Sequence, residues 1–349
     1  MNDFSKHLID KSASLRDALV KLDAISTHSD GVLTLFVMDG KKLVGTLTDG
    51  DIRRFLIKND PLTTSVEEIM HRDFRFIHPD EKNIQKIRDF RTAKIELVPC
   101  IDSTGDLIRV FNLKQKKSIL PIDAVLMAGG KGERLRPLTE KTPKPLLKVG
   151  EKAIIDYNVD NLIIYGVENI HVTTNYLAEQ IEEHFKEERQ GITVNCVREK
   201  NYLGTIASVK LITKFKNDDI LVMNSDLFTN IGFEDFYIHF KESRADMSVA
   251  AIPYSVNVPH GIFELEGRNV KRLVEKPTYN YYANAGIYLI KKGLLDLIPE
   301  NVLFNATDFM DLLLSKGKTV ARYQLVGYWI DIGKPEEYQK AQDFARHIG

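Results

Sequence analysis

The chain has 349 residues, too many for one ordinary hydrophobic core, so two domains are expected. With 43% hydrophobic and 28% charged residues it has the composition of a globular protein, and a net charge of −1 supplies no basic field for nucleic acid. There is no run of about eighteen apolar residues to cross a membrane, and the leading segment MNDFSKHLIDKSASLRDALVKL lacks the apolar centre of a secretory signal. A cytoplasmic protein with no membrane or nucleic-acid partner is therefore expected. Cys100 and Cys196 lie far apart with no metal-type spacing, and both are expected as reduced thiols.

In chain order, Leu15, Ala18, Leu19 and Leu22 share one face of a helix, with Ser14 placed to cap it. Leu33 to Met38 reads as a strand, Asp39-Gly40 as a hairpin turn and Leu43 to Leu47 as the returning strand. Thr48-Asp49-Gly50-Asp51 then leads into a helix near Ile52. A weaker copy follows: Ile84, Ile87 and Phe90 suggest a helix, Glu96 to Ile101 a strand, Asp102 to Gly105 a turn and Leu107 to Phe111 a second strand. The first third thus uses one helix–strand–turn–strand unit twice. The stretch GTLTDGDIRR, residues 45–54, resembles a CBS module, so residues 1–118 are similar to a tandem CBS regulatory domain of α+β class. The resemblance implies a regulatory nucleotide held at Thr48 and Asp51; a carboxylate can accept from both hydroxyls of a ribose. The same two residues equally suit a helix cap. In the second copy Asn112 and Gln115 stand at the matching positions, which implies one competent site at most.

Lys114 to Lys117 is a brief basic link, and Pro121 marks the start of the second domain. The organising stretch is VLMAGGKGERLRPLTEKTPKPLLKV, residues 125–149. An apolar strand, Ala124 to Met127, empties into Gly129, Gly130 and Gly132, beside Lys131, Arg134 and Arg136. Glycines let backbone N–H groups approach phosphate oxygens, and arginine offers a planar fork of donors. Pro137, Pro143 and Pro145 exclude one long helix, and the last two bracket Lys144. A Walker loop would need a Gly-Lys-Ser/Thr that is absent here, and Leu135 stands where a dinucleotide fingerprint needs its third glycine. A triphosphate-binding loop is the reading that remains beside a plain strand-to-loop turn.

Farther on, strands and helices alternate, the pattern of an α/β sheet. Ile154, Ile155, Val159, Leu162 and Ile163 line a helix stopped by Gly166. Strands are expected at Ile170 to Thr174, Ile192 to Val197 and Ile220 to Met223, with helices over Leu177 to Glu188 and Ile206 to Phe215. Asp226 and the glycines after Met127 both follow strands, where ligands gather in open α/β sheets. Gly261 and Glu275-Lys276-Pro277 flank a hairpin, and Asn284-Ala285-Gly286 opens the next strand. A further strand ends at Asp331, Gly333 breaks it and Pro335 opens a terminal helix.

Residues 119–349 resemble the sugar-1-phosphate nucleotidylyltransferases, whose signature A-G-G-x-G-x-R-L-x-P-L-T followed by P-K-P-L is matched at Ala128 to Gly130, Gly132, Arg134, Leu135, Pro137 to Thr139 and Pro143 to Leu146. Glu133 departs from the small hydroxyl residue common there. The resemblance implies a Rossmann-like, GT-A-like mixed-sheet domain and a transfer of a nucleoside monophosphate from a triphosphate to a sugar-1-phosphate. It implies nucleotide contacts at Ala128, Gly129, Gly130, Gly132, Glu199, Gly204 and Thr205, and sugar contacts at Gly261, Glu275 and Asn284. Arg134, Lys144 and Lys276 would carry the charge chemistry, and Asp226 and Asp331 would hold Mg²⁺. A hard carboxylate at a phosphate site suits that ion. The arrangement looks most like guanylyltransferases acting on glucosamine-1-phosphate or mannose-1-phosphate, with uridylyl, thymidylyl and cytidylyl transfer as alternatives; a homo-oligomer is expected. A non-catalytic sensor would be expected to have lost a metal carboxylate or Lys144, and a glycosyltransferase would show an Asp-x-Asp where Asn224-Ser225-Asp226 stands.

Overall fold

The computed structural model describes residues 4–27, 31–58, 61–79, 81 and 84–348. Two compact units emerge: residues 1–120 with 164–166, and the remainder. In the first, β1 (Leu8–Asp10), α1 (Leu15–Ser26), β2 (Thr34–Asp39), β3 (Lys42–Thr48), α2 (Asp49–Leu56) and α3 (Val66–Ile69) surround one small core. α1 buries Leu15, Ala18, Leu22 and Ile25, the stripe expected of a helix lying on a sheet, and Ser14 and Asp17 close a reciprocal capping box at its start. β2 and β3 pair antiparallel across the Asp39-Gly40 turn, where Gly40 takes φ 62°. The same order then returns as α4 (Ile84–Thr92), β4 (Leu97–Ile101) and β5 (Leu107–Asn112). Where α2 follows β3, however, no helix follows β5. Asn112 instead accepts the Lys114 amide in a turn, because this copy lacks the residue pair that caps α2.

The second unit is built on a seven-stranded mixed sheet. Its elements are β6 (Ile122–Ala128), the small hairpin of β7 (Lys148–Val149) and β8 (Lys152–Ala153), α5 (Ile154–Ile164), β9 (Asn169–Thr174), α6 (Ala178–His184), β10 (Val194–Arg198), β11 (Asp219–Asn224), β12 (Leu227–Thr229), α7 (Phe233–Glu242), β13 (Met247–Asn257), β14 (Ile262–Glu266), β15 (Asn269–Val274), β16 (Thr278–Lys291), α8 (Ala306–Ser315), β17 (Val320–Gln324), β18 (Trp329–Asp331) and α9 (Pro335–Ile348). Strand order across the sheet is β10-β9-β6-β11-β16-β13-β17. The first four are mutually parallel and β16 runs against β11. β6 and β11 are almost wholly buried and apolar, as parallel strands covered on both faces must be. They are hydrogen-bonded neighbours, with Asn224 in register with Met127, so their carboxyl ends open side by side. That adjacency positions everything described below.

Three expectations are corrected. Ile206 to Phe215 is not an α-helix but a single 3-10 turn, Ala207–Leu211; its β-branched Ile206, Val209 and Ile212 favour core packing over helix extension. α6 ends at His184 and does not reach Glu188, because Arg189 and Ile192 exchange backbone hydrogen bonds around a turn with Gln190 and Gly191 at positive φ. Asn284 to Gly286 lies in the middle of β16 and does not begin it, since Thr278 to Ala283 continue the pairing with β13.

Candidate active site

Ala128 ends β6, and the chain turns through three glycines that differ in what they accommodate. A Cβ on Gly129 would stand 2.6 Å from a carboxylate oxygen of Glu199. One on Gly130 would meet nothing within 4 Å. Gly132 takes φ 63° and starts a 3-10 turn, Glu133–Leu135, whose Leu135 is buried as the anchor. Thr139 fastens the loop by donating its hydroxyl to the Gly132 carbonyl at 2.8 Å. Thus the backbone at Gly130 stays open to a ligand, Gly129 lies close under the Glu199 carboxylate, and Leu135 and Thr139 hold the loop down.

Lys144 lies in a second 3-10 turn, Lys144–Leu146, between its two prolines and only 8% exposed. Its ammonium pairs with Asp226 Oδ2 and with Asp331 Oδ1, the latter at 3.3 Å. Those acids are brought together by a separate two-stranded ladder, in which Leu227 of β12 pairs with Asp331 of β18 and Ile332 donates to the Asp226 carbonyl. Gly333 lets Arg134 in: a Cβ there would lie 2.8 Å from an Arg134 guanidinium nitrogen and 3.0 Å from Asp331 Oδ1. Two anions and two cations, drawn from three separated stretches, therefore converge beside the glycine loop.

The second Asp226 oxygen, Oδ1, is buried without any hydrogen-bond partner. An unpaired buried carboxylate oxygen is costly, and such groups persist where a ligand completes them. Mg²⁺ fits this donor set: it takes one or two protein carboxylates and fills its shell with water and phosphate oxygens. Among the described residues no cluster of three or more His, Cys, Asp or Glu side chains offers an all-protein cage.

A cavity of about 620 Å³ runs from the glycine loop along Glu199, Tyr202, Gly204 and Thr205 to Asn224, Ser225 and Asp226. That is the size of an ordinary small-ligand site. Glu199 is 3% exposed, and burial pushes its carboxyl pKa up, an effect the hydrogen bond from the Leu203 amide at 3.0 Å only partly opposes. Gly204 takes φ 88° with the Phe304 carbonyl close against it. Thr205 lines the cavity while its hydroxyl accepts the Ala306 amide at the start of α8.

The sugar-side group is placed elsewhere. Gly261, Glu275, Lys276 and Asn284 lie outside that lining, around the hairpin β14–β15 and in β16. Gly261 and Glu275 do face each other, since a Cβ on Gly261 would meet Glu275 Oε2 at 2.9 Å. Lys276 is exposed at φ 43°, and Asn284 bonds its own neighbours, Gly286 and Tyr288. Trp329 is half-buried and donates its indole N–H to the Ala285 carbonyl. In the first unit, Thr48 and Asp51 form a complete capping box on α2.

Sequence reasoning missed two supporting residues. Asn158, 2% exposed on α5, donates to the carbonyls of Ser225 and Leu227 and so holds the Asp226 turn from beneath. Ser225 ties the ends of β11 and β6 by donating its hydroxyl to the Met127 carbonyl at 2.7 Å. The available signal was an asparagine on the apolar stripe of a helix, a buried polar group that must have a partner.

Comparison with known proteins bears on the same region. The model of a family described as nucleotidyl transferase matches residues 123–347. The chain belongs to that family. Nucleotidyl transferase relatives include a mannose-1-phosphate guanyltransferase of Yarrowia lipolytica, 30% identical over 61% of this chain and 61% of that protein. Mannose-1-phosphate guanyltransferase beta-B of Xenopus laevis is 29% identical over 62% of each. The matched part thus spans about three fifths of the length of these curated relatives. HddC from Yersinia pseudotuberculosis, solved in complex with GMP-PN, superposes with a TM-score of 0.51 at 25% identity, over 64% of this chain and 98% of its own. The mixed sheet is therefore that of the nucleotidyl transferase family. No helix among the described residues is long and apolar enough to cross a membrane.

Proposed function

We propose that the chain transfers a nucleoside monophosphate from GTP to a sugar-1-phosphate, mannose-1-phosphate or glucosamine-1-phosphate, releasing pyrophosphate. The observation that carries this reading is the meeting of Lys144, Arg134, Asp226 and Asp331 beside a glycine loop that is exposed at Gly130. A sugar phosphate oxygen attacks the α-phosphorus, the new P–O bond forms, and the bond to the β-phosphate oxygen breaks. The attacking oxygen is already ionised, so no general base is needed. What opposes the step is charge: two unit charges 4 Å apart repel by about 4 kcal/mol at an effective dielectric of 20. Cations and alignment therefore dominate the catalysis.

Arg134 and the amides of Gly129, Gly130 and Gly132 hold the departing β- and γ-phosphates. Lys144 neutralises the α-phosphate, and Lys276 steers the sugar phosphate once its hairpin meets substrate. Asp226 and Asp331 would hold Mg²⁺, which supplies charge neutralisation on the phosphates and a fixed orientation for them. Preference for guanine rests on Glu199. A buried carboxylate is acceptor-only with two oxygens, and guanine offers two adjacent donors, N1–H and the 2-amino group. The guanyltransferase names of the relatives agree with that preference. In the first unit, the resemblance of residues 45–54 to a CBS module supports regulation by an adenine or guanine nucleotide.

Purified protein incubated with each common triphosphate and a panel of sugar-1-phosphates, with products weighed by mass spectrometry, should yield a GDP-sugar and pyrophosphate. Formation of no nucleotide sugar from any pair would overturn the reading. Titration of adenine and guanine nucleotides into that assay tests regulation, which predicts a change in turnover that a chain starting near Ser118 no longer shows.

A further inference from the structure

The pairing of Lys144 with both carboxylates goes beyond a static salt bridge. Its ammonium takes the place between Asp226 Oδ2 and Asp331 Oδ1 that a divalent ion bound by the same two acids would need. The lysine stem is held there by the backbone: prolines on both sides fix its turn, and its Cβ packs against the glycine loop at Gly132. Arg134 adds a second positive group beside Asp331. An ion arriving alone would have to expel a charge that already neutralises the site, with no new anion for the lysine to join. A triphosphate supplies that anion.

We propose that Lys144 is an internal counter-ion that closes the divalent site of the free protein. The arriving triphosphate draws the ammonium off the carboxylates and onto a phosphate oxygen, and the metal enters as the lysine leaves. Metal and triphosphate then bind with positive coupling, and by linkage each raises the affinity of the other by the same factor. This rests on the reading of Asp226 and Asp331 as metal ligands. It adds a role for Lys144 in the free protein, separate from its contact with the reacting phosphate.

Binding of Mn²⁺ alone to the full chain, followed by the electron paramagnetic resonance signal of free Mn²⁺, tests the idea without any turnover. Lys144→Met keeps an unbranched stem and removes the charge; it should bind Mn²⁺ at least about tenfold more tightly than the unaltered protein. Lys144→Arg keeps the charge and should stay weak. A non-hydrolysable GTP analogue should tighten Mn²⁺ binding to the unaltered protein by a larger factor than it does for Lys144→Met. Lys144→Gln serves in place of Lys144→Met should that variant fail to fold. Equal Mn²⁺ affinity in the neutral variants and the unaltered protein would overturn the counter-ion role. Mn²⁺ binding to Lys144→Met that survives a further Asp226→Asn change would overturn instead the metal site beneath it.

Discussion

Asp51 and Asp226 both sit just past the end of a strand, and their carboxylates meet opposite fates. At Asp51 both oxygens are engaged by near neighbours: Oδ2 accepts the Thr48 amide at 2.9 Å and hydroxyl at 2.6 Å, and Oδ1 accepts Arg54 at 2.5 Å. Burial pushes its pKa up, but the bonds from Thr48 and Arg54 outweigh that and hold the carboxyl below its ordinary range. At Asp226 one oxygen meets a lysine far away in sequence, and the other is buried with nothing to accept. The comparison teaches where a proposed role finds room. The Asp51 carboxylate is already satisfied by its own turn, whereas the buried Asp226 oxygen that no protein group meets is what the proposed metal role requires.

The largest test exchanges these two fates. Asp226→Asn should lower turnover by roughly a thousandfold or more, as loss of a group that organises charge in a phosphoryl-type transfer does. Its melting temperature should move by no more than about two degrees. Asp51→Asn should do the reverse, with turnover nearly unchanged and a lower melting temperature. The distinction breaks should thermal denaturation and initial rates show both variants behaving alike.

Next in size is Glu199→Gln. Gln presents one acceptor and two donors where the carboxylate presents two acceptors, so preference for GTP over the other triphosphates should shrink by about ten- to a hundredfold in kcat/KM. The raised pKa sharpens this. The buried neutral carboxyl favours the free fold at low pH, a contribution lost as pH rises through the folded pKa, while guanine requires the ionised form. Affinity for GTP measured by calorimetry should therefore increase as pH rises through a window above the ordinary glutamate range, and the Gln variant should lack that rise.

Gly204→Ala should cost about 1–3 kcal/mol by chemical denaturation, because φ 88° strains any side chain and the new Cβ would stand 2.7 Å from the Phe304 carbonyl oxygen. The smallest effect is expected for Thr48→Ala, about 1 kcal/mol from the lost cap of α2, with kcat intact. A fall in kcat with Thr48→Ala at unchanged stability would instead mark that pair as functional.

The amino-acid sequence by itself determined what depends on neighbours along the chain. Hydrophobic spacing set α1, α5 and the buried strands; glycines after Met127 and prolines around Lys144 set the loop; Ser14 and Thr48 set two caps. It named Asp226 and Asp331 through resemblance, and no local pattern states that they meet. Tertiary structure decided that, through the β12–β18 ladder that draws Asp331 to Lys144 and through the bare Gly333 that admits Arg134. It also decided that Ile206 to Phe215 would pack as a 3-10 turn, and that Asn158 would brace the acid from below. Propensity and periodicity act over a few residues, while strand pairing and the satisfaction of buried polar groups act between stretches that only the folded chain brings together.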